Sequence, residues 1–379
     1  MILSNRIDGI EISGIRRFYN KVAEVEGAIS LTLGEPDFKI PVEVKDAMKR
    51  AIDEDKTTYT PNAGILPLRE EISKYLQFQD VDFSKEEICV TVGGSEGLLA
   101  TFTAILNQGD KVLIPSIAYP AYESCVSICG GFIVNYELND DLSINLDSLR
   151  KLIKEENPKA IVVSHPSNPT GRVMTKEECN ELFQILKDED VLIISDEIYS
   201  SIIFEEFNSI SKYSELKDRL ILVSGFSKMF SMTGIRIGYV CASQWILESI
   251  IKVHQYNVSC APSIGQYGAL EGLRNSMYHI EHIKNNLMAR RDYVYDRLIN
   301  MGLKAIKPEG AFYIFPSIKS TGMSSDEFCE RLLKEAKVAI VPGSAFGKGG
   351  EGYIRISYCY SMDQLKLALD LMEQWIKNI

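Results

Sequence analysis

The sequence predicts an α/β protein with a large domain, built on a mostly parallel seven-stranded sheet, and a smaller α+β domain. Seven short apolar runs recur between residues 88 and 242, with helical segments between them. Most of these runs are continuously hydrophobic, which is typical of strands that are covered by helices on both faces. At 379 residues, the chain is also too long for one ordinary core.

The elements of the large domain follow in order along the chain. The predicted strands are residues 88–92, 111–115, 132–136, 160–165, 191–196, 220–225 and 237–242. Residues 97–107 carry apolar side chains on one helical face. Residues 177–187 follow Thr175, a plausible N-cap residue that has Glu178 three positions later.

A second region begins near residue 285, where residues 286–302 read as a long helix that Gly302 ends. Short apolar runs and helices then alternate at 311–318, 325–336, 338–346, 353–360 and from about 362. Residues before about 35 have no fold of their own and are expected to pack against this layer. We therefore predict a large domain at 36–284 and a small domain formed by 1–35 with 285–379.

Composition excludes several classes of function. The 41 basic and 52 acidic residues give a net charge of −11 without a long basic run, which argues against binding to nucleic acid or to an anionic membrane. The first twenty residues do not form a signal peptide, and no apolar stretch is long enough to span a bilayer. Eight cysteines without a CxxC pair read as reduced, which indicates a cytoplasmic location, and the four histidines predict no metal site.

Chemically useful side chains follow three of the predicted strands. Asn168 lies in a proline-rich turn after 160–165, Asp196 ends the next strand with Tyr199 three residues later, and Lys228 follows 220–225. Ligands of open α/β sheets bind at the carboxyl ends of the strands. An acid, an amide, a phenol and an amine are therefore expected to gather at one edge of the sheet.

A fourth strand end predicts a phosphate site. After 88–92, the residues Gly94, Ser95 and Glu96 present backbone N–H groups at the start of a helix, where an anion gains from the unpaired donors and the helix dipole. The dinucleotide-binding and Walker motifs both fail here, because neither glycine spacing is present. The full set of groups fits pyridoxal phosphate, whose ring needs a lysine and an acid at its nitrogen.

The ordered motifs support this interpretation. They are LGEPDF, YTPNAGILPLREEI, VGGSEGL, PSIAYPAY, SNPTG, DEIY, SGFSKMFSMTGIRIGY and RIS. In these motifs the chain resembles the class I/II, fold type I pyridoxal-phosphate-dependent aminotransferases, from about residue 33 to residue 361. The resemblance implies the fold of that family, pyridoxal 5′-phosphate as cofactor, and amino acids with 2-oxo acids as substrates.

The resemblance also assigns catalytic roles. Lys228 matches the lysine that forms the Schiff base with the cofactor and moves the Cα proton. Asp196 matches the acid at the pyridine nitrogen, while Asn168 and Tyr199 match the partners of the phenolic oxygen. Tyr119 matches the aromatic that stacks on the ring, although Tyr122 is a rival for that role.

Further matches concern phosphate and substrate. Arg236 matches the arginine that grips the phosphate, and Ser227 and Ser224 are candidate partners that stay uncertain because Gly225 replaces a serine common in the family. Tyr59 matches a tyrosine that crosses to the other subunit's phosphate, which implies a homodimer. Arg355 and the backbone N–H of Gly34 match the groups that hold the substrate α-carboxylate, the arginine in a two-pronged fork.

The implied activity is ping-pong transamination through a Lys228 aldimine. A carbon–sulfur β-lyase on the same fold is the first alternative, because both share the motifs around the lysine. A non-enzymatic sensor of cofactor or amino acid is the second. Residues 252–263 hold no arginine for a second carboxylate, which favours a neutral or aromatic substrate, with glutamate and 2-oxoglutarate as the exchange pair.

Overall fold

The computed structural model describes residues 4–8, 10, 12–22 and 24–379. The strands are β1 Ile29–Ser30, β2 Ile88–Thr91, β3 Lys111–Pro115, β4 Phe132–Tyr136, β5 Ala160–Ser164, β6 Leu192–Asp196, β7 Leu220–Gly225, β8 Gly238–Ala242, β9 Tyr313–Ile314, β10 Val338–Ala339, β11 Val341–Pro342 and β12 Ile354–Ser357. The helices are α1 Asn5–Asp8, α2 Gly14–Val22, α3 Val42–Asp53, α4 Leu66–Phe78, α5 Gly93–Ile105, α6 Ala121–Ile128, α7 Leu146–Glu156, α8 Lys176–Leu186, α9 Phe226–Met229, α10 Gln244–Val258, α11 Ser263–Asn275, α12 Tyr278–Asn300, α13 Ser325–Ala336 and α14 Met362–Ile376.

The central sheet of the described chain has seven strands in the order β2-β8-β7-β6-β5-β3-β4. Strand β8 runs antiparallel to both of its neighbours, and the remaining pairs are parallel. The predicted α/β class is confirmed, and each predicted strand lies within one residue of an observed one. Because two antiparallel steps restore the original direction, β2 points the same way as β7, and α5 begins at the edge where β5, β6 and β7 end.

The strand register places the carboxyl ends of β5, β6 and β7 side by side. Ser164 at the end of β5 is paired with Asp196 at the end of β6, and Asp196 is paired in turn with Val223 in β7. Strands β5 and β7 are buried along their whole length and β6 at every residue after Leu192, as expected for strands between two helical layers. The side chains that follow these strands therefore start from neighbouring points on one edge.

The starts of two helices compare differently with the sequence patterns. Helix α5 starts at Gly93, one residue before the predicted helix start at Gly94, Ser95 and Glu96, because Gly93 adopts a positive φ of 74° and turns the chain into the helix directly after β2. Helix α12 starts at Tyr278 rather than at 286, because Ile280 and Ile283 extend its buried stripe by two turns. The predicted helix 177–187 is α8, and Thr175 and Glu178 form its capping box as predicted.

A second layer packs around the C-terminal elements. Strands β11, β12 and β9 form an antiparallel sheet, and β1 pairs with β10 in parallel, so the chain near residue 30 joins the elements after residue 337. The predicted boundary at 284/285 falls within α12, and the division into two domains stays a prediction. Positions 1–3, 9, 11 and 23 of the predicted segment 1–35 lie outside the described residues.

Two further features concern the whole described chain. None of its helices is both long enough and apolar enough to cross a bilayer. All eight cysteines are described, and each is a free thiol.

Candidate active site

Lys228 lies on α9, the one-turn helix that follows β7 directly. Its Nζ donates a hydrogen bond to the carbonyl of Gly34 and lies 5.6 Å from the centre of the Phe312 ring. Burial lowers the pKa of Lys228 to about 8, and the nearby arginines add to that effect, while Cys359 and Glu35 oppose it. A lysine with this pKa holds a substantial neutral fraction near neutral pH, which a nucleophile or base requires.

Asp196 is a buried carboxylate at the end of β6. The hydroxyl of Tyr122 donates to its Oδ2 at 2.7 Å, and the backbone N–H of Ile198 donates to its Oδ1 at 3.1 Å. Burial raises the pKa of Asp196 and outweighs these two hydrogen bonds. The carboxylate would therefore gain from a cationic partner.

The choice between Tyr119 and Tyr122 follows from these contacts. Tyr122 is buried in α6 with its hydroxyl committed to Asp196. Tyr119 lies before the helix and meets the Tyr122 ring edge-on at 5.7 Å between centroids. Of the two, Tyr119 is the aromatic that is left to face a ligand.

Tyr199 forms a pair that sequence reasoning missed. Its hydroxyl lies 2.9 Å from the hydroxyl of Tyr313 at the start of β9, and burial raises the pKa of Tyr199. Tyr313 also contacts the backbone at Gly34, where a Cβ atom would stand 1.7 Å from the Tyr313 hydroxyl oxygen. The Tyr313 hydroxyl thus leaves no room for a side chain at position 34. Tyr313 packs against the same glycine whose carbonyl accepts the hydrogen bond from Lys228.

Arg355 in β12 is 1% exposed, although it carries a full positive charge. Its Nη1 donates to Asn168 Oδ1 at 2.9 Å and its Nη2 donates to the carbonyl of Thr32. The rings of Tyr313 and Phe346 lie 4.3 and 4.8 Å from the guanidinium carbon. Its Nε has no hydrogen-bond partner among the residues that the structure describes.

The start of α5 is enclosed on two sides. A Cβ atom on Gly93 would lie 2.5 Å from Arg236 Nη2, and one on Gly238 would lie 2.6 Å from the backbone nitrogen of Gly94. Arg236 adopts a positive φ of 65°, which is rare for a residue with a side chain, and its Nη1 donates to the carbonyl of Thr233. The structure thus brings a guanidinium to the helix start that was predicted to bind phosphate.

The remaining predicted residues differ in what they contact. Ser224 donates to the carbonyl of Glu197 and is committed there, whereas Ser227 is buried in α9 beside Lys228. The side chain of Glu96 turns back to the Val92 N–H. Tyr59 is 89% exposed, so within a single chain its side chain lies in solvent and not among the buried residues around Lys228.

Cys359 is a further contact that the sequence did not reveal. Its Sγ lies 3.1 Å from the carbonyl of Glu35 and 2.9 Å from Ser357 Oγ. Lys228 and Cys359 therefore contact two consecutive backbone carbonyls, those of Gly34 and Glu35. Cys359 belongs to the predicted run 353–360, but its backbone partner Glu35 lies 324 residues away in sequence, so no local pattern could assign that contact.

Three comparisons place these features among known proteins. The family model for aminotransferase class I and II matches residues 26–371. A Bacillus subtilis protein named probable N-acetyl-LL-diaminopimelate aminotransferase is 46% identical, with 99% of this chain and 96% of that protein covered. An aspartate aminotransferase of Pyrococcus abyssi is 42% identical over 100% and 99% of the two chains. The crystal structure of the aromatic aminotransferase from Pyrococcus horikoshii superposes with a TM-score of 0.90 at 40% identity, covering 95% of this chain and 99% of that one.

Proposed function

We propose a specific reaction from the premise that the chain belongs to the class I and II aminotransferases and is therefore an enzyme that transfers amino groups. In this proposal the chain holds pyridoxal 5′-phosphate on Lys228. It moves the amino group of an L-amino acid to the cofactor and then to a 2-oxo acid in a ping-pong cycle.

One observation carries the proposal: two buried charges of opposite sign have no ionic partner. Within the part of the chain that the structure describes, neither Asp196 nor Arg355 forms an ion pair, and Arg355 Nε lacks any partner. Burying an uncompensated charge costs several kcal/mol. A protonated pyridine nitrogen would compensate Asp196, and a substrate carboxylate would compensate Arg355.

The phosphate of the cofactor fits the start of α5. Backbone N–H groups of Gly94, Ser95 and Glu96 lie in its first turn and have no carbonyl four residues earlier within the helix. Arg236 stands against Gly93 at the same point. A guanidinium beside free backbone donors is an arrangement suited to a phosphate dianion.

When bound, the cofactor supplies a ring that withdraws electrons from the bond to be broken. The chain supplies the other groups. Nζ of Lys228 would hold the cofactor covalently and, as a neutral amine, could carry the proton from the substrate Cα. Arg355 and the Gly34 N–H would hold the substrate carboxylate. Asn168 and Tyr199 would hydrogen-bond the ring oxygen, and Tyr119 would pack against the ring.

The substrates follow by chemical class. The relatives are named for aspartate, aromatic and N-acetyl-LL-diaminopimelate substrates, so the family name alone does not fix the side chain. Residues 252–263 hold no arginine that would bind a second carboxylate. We therefore propose a donor with a neutral or aromatic side chain, with glutamate and 2-oxoglutarate as the exchange pair, in a cytoplasmic protein whose thiols stay reduced.

The active unit in this proposal is a homodimer in which Tyr59 reaches the partner's phosphate. The exposure of Tyr59 supports this, because an aromatic side chain 89% open to water gains from burial against another chain. Mixing two inactive variants, Lys228→Ala and Tyr59→Ala, after dissociation should restore activity, since one hybrid site would contain both native residues. Activity that stays absent in the mixture, although hybrid dimers form, would contradict this arrangement.

The cofactor assignment is tested by reducing the protein with borohydride after loading it with pyridoxal phosphate. Reduction makes the lysine–cofactor link permanent, so peptide mass analysis should find the added mass on Lys228. Lys252, on the exposed side of α10, is the matched control and should stay unmodified. Label on other lysines without Lys228 would contradict the assignment.

A further inference from the structure

A buried acid and a buried histidine meet behind the start of α5. Both Oε atoms of Glu96 lie 3.1 Å from Nδ1 of His254, a residue of α10. The Glu96 side chain is 9% exposed and that of His254 is fully buried. Neither contact belongs to the catalytic groups described above.

The contact fixes which ring nitrogen carries a proton. A carboxylate accepts hydrogen bonds and cannot donate one, so Nδ1 of His254 must be the donor. Within the described chain, Nε2 of the same ring is buried and has no hydrogen-bond partner. The His254 side chain therefore hydrogen-bonds one side chain among the described residues, that of Glu96.

Glu96 in turn controls the backbone of the helix start. Its Oε2 accepts the N–H of Val92 at 3.1 Å, the amide that directly precedes the helix. The next two residues are Gly93 and Gly94, which have the widest conformational freedom of any residue type. A side chain that ties Val92 to the first turn therefore limits how the amides of Gly94 and Ser95 are oriented.

The negative charge of Glu96 would repel a bound phosphate, and the hydrogen bond from His254 reduces that repulsion. The carboxylate lies in the first turn of the helix whose amides face the phosphate, and like charges at short range repel in a medium of low dielectric constant. A hydrogen bond from the imidazole holds the carboxylate toward α10 and disperses part of its charge. Without that donor, the carboxylate would be buried with one partner and free to swing in the first turn.

We propose that Glu96 and His254 form a positioning pair that pre-orients the phosphate-binding amides of α5. The inference rests on the proposed function, because it concerns affinity for the phosphate of pyridoxal phosphate. It adds a residue of α10, far from the strand ends, to the determinants of cofactor binding.

The test measures the dissociation constant of pyridoxal phosphate for cofactor-free protein by absorbance titration. His254→Phe removes the donor, whereas His254→Asn places an amide N–H close to the position of Nδ1. His279→Phe is the matched control, since His279 is also buried with an unpartnered Nε2 but lies on α12 beside Glu43 and His282. The melting temperature of each cofactor-free variant separates loss of affinity from general loss of stability.

We expect His254→Phe to weaken binding by about tenfold or more, the scale of one lost hydrogen bond to a charged group. His254→Asn should stay within about threefold of the wild type, and His279→Phe should bind like the wild type. The double variant Glu96→Gln/His254→Phe should recover most of the lost affinity, because the unpaired charge is gone. Wild-type affinity in His254→Phe, or an equal loss in His279→Phe, would overturn the inference.

A second comparison covers the case in which His254→Phe does not fold. Glu96→Gln keeps an acceptor for the Val92 N–H, and Glu96→Ala leaves that amide without one. We expect the alanine variant to bind pyridoxal phosphate about tenfold more weakly than the glutamine variant. Equal dissociation constants would overturn the inference, whereas a wild-type protein that does not bind pyridoxal phosphate would contradict the proposed function and the inference together.

Discussion

Two arginines of this protein, one partly buried and one fully buried, have opposite surroundings. Arg172, in the turn before α8, contacts three carboxylates: Glu309 at 2.6 Å, Glu178 at 3.2 Å and Asp141 at 3.6 Å. Arg355 is more deeply buried and contacts an amide, a carbonyl and two rings, but no carboxylate of the described residues. The chain supplies carboxylates to the first arginine, whereas no carboxylate of the described residues contacts the second, in line with the proposed role of Arg355 in binding a substrate carboxylate.

Two neighbouring acids repeat the contrast. Burial raises the pKa of both Asp196 and Glu197. Glu197 accepts hydrogen bonds from three serine hydroxyls, which are those of Ser195, Ser209 and Ser211. Asp196 accepts from one hydroxyl and one backbone N–H. Burial alone therefore does not distinguish a structural charge from a functional one, but the number of internal partners does.

The largest effect is expected at Lys228, the proposed attachment point of the cofactor. Lys228→Ala removes both the covalent attachment and the proton carrier, so turnover should fall by about 10⁴-fold or more. Lys228→Arg is the control, because it keeps a cation but is not a base at neutral pH. The kcat of each variant is compared with that of the wild type at saturating cofactor. Substantial turnover in either variant would contradict the proposed role of Lys228.

The two acids provide the next test. Asp196→Asn removes the charge that a pyridinium nitrogen requires, and we expect kcat to fall by about 10³-fold, since preorganised electrostatic groups contribute on that scale. Glu197→Gln keeps an acceptor for the serine hydroxyls and should leave kcat within about threefold. Equal losses in both variants would show that internal hydrogen bonding does not separate their roles.

The two arginines give a smaller but more specific difference. Arg355→Gln should lower kcat/KM for amino acids by about 100-fold, the scale of a buried two-pronged ion pair, and should remove the preference for amino acids over their amides. Arg172→Gln leaves three carboxylates without their cation, so it should lower the free energy of unfolding by about 3 kcal/mol while kcat/KM stays nearly unchanged. If Arg172→Gln also loses the preference for amino acids over their amides, the proposed difference between the two arginines is contradicted.

The smallest expected effect concerns the pH at which Nζ of Lys228 becomes reactive. With a pKa of about 8, Nζ of the cofactor-free protein should react with an amine-directed reagent half-maximally near pH 8. Reactivity rises with pH because the neutral amine is the nucleophile, and an ordinary lysine reaches its midpoint near pH 10.4. Quantitative peptide mapping gives each profile, and a midpoint for Lys228 that coincides with that of Lys252 would contradict the buried environment.

Much of the fold and of the site could be predicted from local patterns. Continuous apolar runs predicted the seven strands of the central sheet, and Asp196 ends one of these strands while Lys228 lies three residues after another. Thr175 and Glu178 marked a helix start through a local hydrogen-bond pattern. These features are predictable because the partners that create them lie within a few residues of each other or repeat along one strand.

Features that depend on distant contacts were not predictable. Tyr119 and Tyr122 are three residues apart in one motif, and the contact between Tyr122 and Asp196, 74 residues away, is what distinguishes their surroundings. Tyr313 and His254 gave no local signal, because their partners come from other layers of the fold. The start of α12 was placed too late, because its buried stripe continues through Ile283 and Ile280.

The most direct measurement of the central claim is the visible absorption spectrum of the protein loaded with pyridoxal phosphate, before and after single L-amino acids are added. We expect a band that depends on Lys228, that disappears with a neutral or aromatic donor, and that returns when 2-oxoglutarate is added with formation of glutamate. A protein that binds the cofactor but keeps its band with every amino acid would contradict transamination at this site. A protein that forms no band at all would contradict the assignment of Lys228.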